Sequence, residues 1–343
     1  MKRHKICKII FAILAVFLCV AFYELIGICI TYKKQPAVSD ATIKETQNIM
    51  SVAGKENTER AVIIEKNSQA LLERVRLIQN AKDEIILSTF AFKSDESGKL
   101  ILGALHDAAD RGVHVRILVD GMESWIDMEG NPYFYGLSSH ENVEIKLYNK
   151  ANPLKPWKTM GRMHDKYLIA DGKIYILGGR NTYNYFLGDF PGHKNFDRDV
   201  LVVCDEPQKD NSVNQLWNYF ETIWEQEDCR YFHNSKKLAD RQSVKNAVLE
   251  LQEGYQQYFE VNKEKICDTD YADETFETEK ITLLSNPIHT QAKEPVVWYQ
   301  LGELMKNAKE RVKIHTPYII CNDMMYNTCL LYTSPSPRDR TRS

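Results

Sequence analysis

Glu84-Ile85-Ile86-Leu87-Ser88-Thr89-Phe90 reads as a buried strand, and Val113-His114-Val115-Arg116-Ile117-Leu118-Val119 reads as another. Between them Leu100, Ile101, Ala104, Leu105 and Ala108 recur at helical spacing from about Ser97 to Arg111. Gly112 follows, where a left-handed helix C-cap belongs. Strand, helix and strand in so short a span form a βαβ crossover, which requires neighbouring parallel strands with the helix packed over them. The expected fold class is therefore α/β, a mixed and largely parallel sheet flanked by helices.

Outward from this unit the pattern continues. A helix precedes it, with Leu71, Leu72, Val75, Leu77 and Ile78 on one face and Asn80-Ala81-Lys82 at its end. Ordered structure is expected from Ala61-Val62-Ile63-Ile64. After a loop from Gly121 to His140, Val143 to Tyr148 predicts a further strand. Tyr167 to Ala170 and Lys173 to Leu177 flank Asp171-Gly172, a dipeptide favoured in two-residue hairpins. Asp199 opens a strand through Val203, and Val213, Leu216, Trp217, Phe220, Ile223 and Trp224 line one face of a helix, a core-packing stripe. Residues 229–280 read as a connecting region with some helix.

The N-terminus carries a different signal. Lys2, Arg3, Lys5 and Lys8 precede an apolar run from Ile9 to Ile30 broken only by Glu24. Its 22 residues rise about 33 Å as a helix, enough to cross a hydrocarbon core of about 30 Å. Signal peptides have shorter apolar cores and a small-residue cleavage site, and Ile26-Gly27-Ile28-Cys29-Ile30 offers no clear one, so an uncleaved anchor over residues 1–34 is favoured. Four cations before the span against Lys33 and Lys34 after it predict a cytoplasmic N-terminus and an extracytoplasmic catalytic body. Glu24 lies toward the end of the span, where it can reach the interface. Residues 35–60 are polar and read as a linker.

The chain has 343 residues, 43% hydrophobic and 27% charged, with a net charge of −3. This is globular composition with no basic excess, so nucleic acid is not the expected partner. Cys204, Cys229, Cys267 and Cys321 are widely spaced, without a CxxC pair or nearby His, so no zinc site is expected. No other metal and no cofactor is called for.

A shift of 227 positions aligns Leu77, Asn80, Ala81, Lys82 and Thr89 with Leu304, Asn307, Ala308, Lys309 and Thr316. The helix, the break and the strand recur in the same order. Residues 61–228 are thus expected to form a first domain and residues 281–328 the beginning of a second copy. From Cys329 onward the string Cys-Leu-Leu-Tyr-Thr-Ser-Pro-Ser-Pro-Arg-Asp-Arg-Thr-Arg-Ser resembles a translated sequencing adapter, and residues 329–343 are read as an artefact tail.

The chemistry centres on Met163-His164-Asp165-Lys166-Tyr167-Leu168-Ile169-Ala170-Asp171 and on Leu177-Gly178-Gly179-Arg180-Asn181. Alternate residues of an extended segment project to one side, so His164 and Lys166 should face a common pocket. A neutral imidazole can attack phosphorus while an ammonium holds the phosphate oxygens. Asn181 can donate an amide hydrogen bond to the same oxygens, and Gly178 and Gly179 let backbone approach closely.

These residues resemble the HxKxxxxD plus GGxN signature of the phospholipase D superfamily. Arg162 and the preceding βαβ unit are similar to cardiolipin synthase-like members. The resemblance covers roughly residues 62–203 and resumes over 281–328. It implies a covalent phosphohistidine on one motif and protonation of the leaving alcohol by the His of the other. On that basis His164 is the nucleophile, Lys166 and Asn181 are phosphate ligands, and Arg162, Gly178 and Gly179 are substrate-binding positions. Asp199 is the candidate for orienting the imidazole, with Asp197 its rival. Asp171 is carried among the catalytic candidates, although capping of the hairpin turn is the simpler reading. The repeat would put the second His near position 391, so this polypeptide is expected to hold half a site and to need a second copy, a homodimer, for activity. The implied partners are a membrane phospholipid and an alcohol or water acceptor. A nuclease of the same superfamily and a non-catalytic membrane scaffold are the alternatives. Lys155, Trp157, Lys158 and Arg162 form a basic-aromatic stretch that reads equally as a headgroup contact and as a solvated loop.

Overall fold

A computed structural model describes residues 2–51, 58–314 and 326. In chain order the elements are α1 (Lys2–Tyr32), α2 (Asp40–Ser51), β1 (Arg60–Ile64), α3 (Asn67–Asn80), β2 (Glu84–Thr89), α4 (Glu96–Asp110), β3 (His114–Asp120), α5 (Gly121–Asp127), α6 (Pro132–Ser138) and β4 (Val143–Tyr148). A 3-10 turn at Pro156–Lys158 leads to β5 (Tyr167–Ala170), β6 (Ile174–Gly178), β7 (Asp199–Val203), α7 (Ser212–Trp224) and β8 (Cys229–Tyr231). Then come α8 (Lys236–Ala239), α9 (Gln242–Ile266), β9 (Phe276–Glu277) and α10 (Val296–Asn307). Two compact units emerge, one of Met1–Lys33 with Gly54–Leu283 and one of Lys34–Ala53 with Leu284–Ser343.

The first unit is built on a nine-stranded sheet in the order β8-β4-β3-β2-β5-β6-β7-β1-β9. Its α/β class, mixed sheet and flanking helices agree with the sequence reading. The parallel share does not. Only β2–β3 and β3–β4 pair in parallel. The β5–β6 hairpin, β7 and both edges pair antiparallel. The correction has a topological cause: a two-residue turn can join only antiparallel neighbours, and the βαβ crossovers supply no more than three parallel strands.

Alternation along the strands divides the two faces. Ile85, Leu87, Val115, Ile117, Ile145, Leu168 and Leu201 belong to one core with residues of α3, α4, α6 and α9. On the other face Arg116 lies over the rings of Trp217, Phe220 and Trp224 of α7, while Glu84 and Glu221 satisfy its guanidinium. Val213, Leu216, Phe220 and Ile223 are fully buried, as their stripe predicted.

The punctuation is equally legible. Gly112 has φ +95°, and Asp171 and Gly172 have φ +52° and +62°, the left-handed pair that a primed hairpin turn requires. Residues 229–280, read as a connection, contribute both edge strands and a 25-residue helix, α9. Arg76 of α3 ties this region down through the carbonyls of Asp268 and Asp270 and the Glu274 carboxylate. The polar stretch 35–60 contains α2, which belongs with α10 to the second unit.

The internal repeat has a local structural counterpart. α3 ends at Asn80 and α10 at the matching Asn307, and the next residue, Ala81 or Ala308, turns extended (ψ 138° and 127°) in both. Residues 308–314 form no strand. Thr316, Cys321 and the Ser/Pro/Arg tail lie outside the described residues.

Candidate active site

The βαβ unit places the C-terminal ends of β2 and β3 side by side, the end at which parallel sheets usually bind ligands. Phe90 follows β2 there, and Asp120 ends β3. Asp120 caps α5 by accepting from the backbone N–H groups of Met122 and Glu123. It also binds Arg162 through Nε at 2.9 Å and Nη2 at 2.6 Å, and accepts from the N–H of Met163 at 3.1 Å. Asp120 thereby fixes the start of the extended run into β5.

Within that run the side chains alternate. Arg162, His164 and Lys166 converge on one aromatic ring. The His164 imidazole meets Phe90 edge-on, with centroids 4.5 Å apart. The Arg162 guanidinium and the Lys166 ammonium lie 5.2 and 5.3 Å from the same centroid. Asp165, between them, is directed elsewhere and accepts from the Tyr219 hydroxyl at 2.8 Å. Imidazole and ammonium therefore share one wall, as the spacing predicted.

Electrostatics suit that wall to an anion. Burial of Lys166 brings its ammonium down to about 8, against the opposing pull of Asp165, Asp197 and Asp120. Lys166 Nζ donates to the His164 carbonyl at 2.6 Å. His164 is pushed below the ordinary histidine value by burial and by the Lys166 charge; Asp120 opposes this and Arg162 adds to it. The imidazole is thus neutral at physiological pH, the form that can act as a nucleophile.

Asn181 reaches the same place by a separate route. Its Oδ1 accepts from the Ala91 N–H at 3.2 Å, and Thr182 N–H donates to the Ala91 carbonyl at 3.1 Å. The residue after Phe90 thus holds Asn181, and its amide N–H groups have no protein partner among the described residues.

Five of the candidate positions have other partners in the structure. Asp171 lies at the closed end of the hairpin, where its carboxylate accepts from the backbone N–H groups of Lys82, Asp83 and Glu84 at 2.8–3.2 Å. It anchors the start of β2 and is remote from His164. Asp199 is buried and pairs with Arg74 at 2.9 Å and Arg180 at 3.3 Å, so it does not orient the imidazole. A Cβ on Gly178 would come within 2.0 Å of Asp199 Oδ1, and one on Gly179 within 2.1 Å of the Asp197 carboxylate. The close approach that requires glycine is therefore to the start of β7, a packing demand rather than a substrate one. Asp197, the rival acid, favours the charged form of Lys166.

Phe90, Asp120 and Arg180 escaped the sequence reading. Arg180 is fully buried and donates to Asn67 Oδ1 and to the carbonyls of Ile64 and Glu65, so it pins the Gly-Gly-Arg-Asn turn. Position at the end of a parallel strand was the available signal for Phe90 and Asp120. A cavity of about 660 Å³ between α3 and α9 contains none of the motif residues. His164 is exposed outside that cavity.

Residues 75–224 match the family model described as the PLD-like domain of cardiolipin synthase. These residues are similar to a phospholipase D-like domain of the cardiolipin synthase type. Cardiolipin synthase C of Escherichia coli is 29% identical over 154 residues, which cover 41% of this chain and 31% of that protein. An uncharacterised Helicobacter pylori protein is 27% identical over 292 residues, 77% of this chain and 55% of that protein. The chain thus spans about half or less of the curated relatives it matches. The crystal structure of phosphatidylserine synthase from Haemophilus influenzae shares the fold at a TM-score of 0.54 and 14% identity, over 85% of this chain and 63% of that one. Phosphodiesterase and phosphoryl-transferase chemistry is the general class of the phospholipase D superfamily. α1 is the helix, among the described residues, long and apolar enough to cross a membrane: its 28 residues Lys5–Tyr32 include an 18-residue stretch of mean hydropathy 2.7.

Proposed function

We propose that the chain is a membrane-anchored enzyme acting on phospholipid phosphodiesters, by phosphatidyl transfer or hydrolysis, with His164 as nucleophile. The convergence of Arg162, His164 and Lys166 on Phe90 carries this reading. A ring nitrogen of His164 attacks phosphorus, the P–O bond to the leaving alcohol breaks, and that alcohol takes a proton from an acid on the opposite side. An alcohol or water then attacks phosphorus and breaks the P–N bond, which frees the imidazole. Lys166 and the Asn181 amide hold the non-bridging oxygens as charge builds on them. The opposing acid, in this reading, comes from a second motif or a second copy of the chain. The rings of His106 and His140 face Asp110, and that of His114 faces Glu84 and Glu144, so these three are engaged by carboxylates of their own.

The test uses vesicles of phosphatidylglycerol labelled in the phosphate. Alkaline quenching should trap an acid-labile, base-stable label on the protein, and His164→Asn should abolish it. Cleavage of DNA with no reaction on the vesicles would favour a nuclease, and absence of both a scaffold. Full turnover by a demonstrated monomer would overturn the requirement for a partner half-site.

A further inference from the structure

Between β4 and the His164 motif, the chain exposes apolar surface for which the chemistry above has no use. Leu154, Trp157 and Met160 are 78%, 41% and 57% exposed. Beside them on the same end of the sheet, Trp125 and Ile126 of α5 are about two-thirds exposed. The two segments adjoin: a Cβ on Gly121, at the start of α5, would strike the backbone of Lys150 at 2.6 Å. Both also border the site, since Arg162 follows the loop and reaches Glu123 of α5 at 3.4 Å.

The loop is packed on α1. The Tyr23 hydroxyl donates to the Leu154 carbonyl at 3.4 Å, a Cβ on Gly27 would lie 2.5 Å from Pro156, and Thr159 Oγ1 donates to the Glu24 carboxylate at 3.3 Å. These contacts fall on residues 23–27, inside the apolar span. With that span centred in a hydrocarbon core of about 30 Å, residues 23–27 lie roughly 5–11 Å from the midplane, in the outer part of one leaflet. Whatever packs on them sits at that level too. Thr159 also gives Glu24 a donor at a depth where an unpartnered carboxylate is costly.

We propose that Trp125, Ile126, Leu154, Trp157 and Met160 form a second membrane contact, inserted at the headgroup–acyl boundary of the leaflet in which α1 ends. Tryptophan is enriched at that level, and an exposed apolar patch continuous with a membrane span matches lipid better than water. Lys150 and Lys155, both exposed, add attraction for anionic headgroups. The contact rests on the membrane-anchored reading and deepens it. It holds the His164 wall at headgroup height, so a lipid phosphate is reached without extraction from the bilayer.

The test reconstitutes the full chain into vesicles of phosphatidylcholine and phosphatidylglycerol, with part of the lipid brominated near the headgroup end of its acyl chains. α1 contains no tryptophan, so quenching reports on the body of the protein. Tryptophan emission should be quenched, and the quenched component should fall at least threefold in Trp125→Phe/Trp157→Phe. An unchanged component in that variant overturns the proposal. So does protein that fails to float with the vesicles, or an unquenched emission that shifts with protein concentration and marks the patch as a contact between copies. Phosphodiester turnover is read on the same vesicles. Quenching without turnover keeps the contact and removes the enzymatic reading, whereas turnover without quenching does the reverse.

Discussion

The two ends of the β5–β6 hairpin draw on one nine-residue motif and put it to opposite uses. At the open end the run before Tyr167 presents alternate side chains to Phe90, leaving a neutral imidazole beside a partly desolvated ammonium. At the closed end Asp171, at φ +52°, spends its carboxylate on three backbone N–H groups at the start of β2. The first end is the one proposed to act on something brought from outside; the second satisfies the protein itself. They are coupled through register. By fixing the start of β2 to the turn, Asp171 keeps Ser88 opposite Tyr167, and that pairing carries Phe90 to His164. The motif acid therefore supports the site from the far end of the sheet.

Substitutions at the two ends should separate these roles. His164→Asn should lower turnover by about a thousandfold or more with the thermal midpoint unchanged, read by product release and calorimetry on the same sample. A matching fall in the midpoint would erase the distinction between the ends. Asp199→Ala leaves the buried cations of Arg74 and Arg180 without their carboxylate and should cost about 3–5 kcal/mol in denaturant unfolding. Lys166→Ala should reduce kcat by about a hundred- to a thousandfold through lost stabilisation of the phosphorane charge. Asp171→Ala should destabilise by about 1–3 kcal/mol, with activity per folded molecule largely kept, and Asp171→Asn should recover part of the loss. A kinetic defect in Asp171→Asn at full stability would return that residue to the catalytic set.

The smallest effect is on the pH profile. His164 acts when neutral, and its lowered value keeps it neutral to below its ordinary range, so the acid limb should lie under about pH 6.5. Lys166 acts when charged, so activity should decline as pH rises through about 8. Lys166→Arg should move that basic limb out of the measurable range. A basic limb that stays in place would assign it to another group.

Legibility in the sequence followed the range of the interaction. Alternation of apolar residues, the Gly112 stop, the Asp171-Gly172 turn and the pairing of positions 164 and 166 are consequences of local backbone geometry, and each was readable. The share of parallel pairing was overestimated, because a crossover in sequence does not say how many strands it recruits. The assignment of Asp199 to the imidazole failed for a related reason. Its partners, Arg74 and Arg180, are separated from it by 125 and 19 positions, and nothing in a run of residues shows which of two nearby carboxylates an arginine will take. Phe90 looked like the last residue of a buried strand until β5 was laid beside β2.

By itself, then, the sequence determined the order of the elements, the membrane-length helix and the pair of side chains that must face one way, since these depend on periods of two and 3.6 residues. Tertiary structure alone decided what those side chains face, which acid anchors and which acid neutralises, and that the loop before the motif leans on the membrane-length helix. Those outcomes depend on contacts between segments tens of residues apart, where packing and desolvation, rather than backbone period, select the partner.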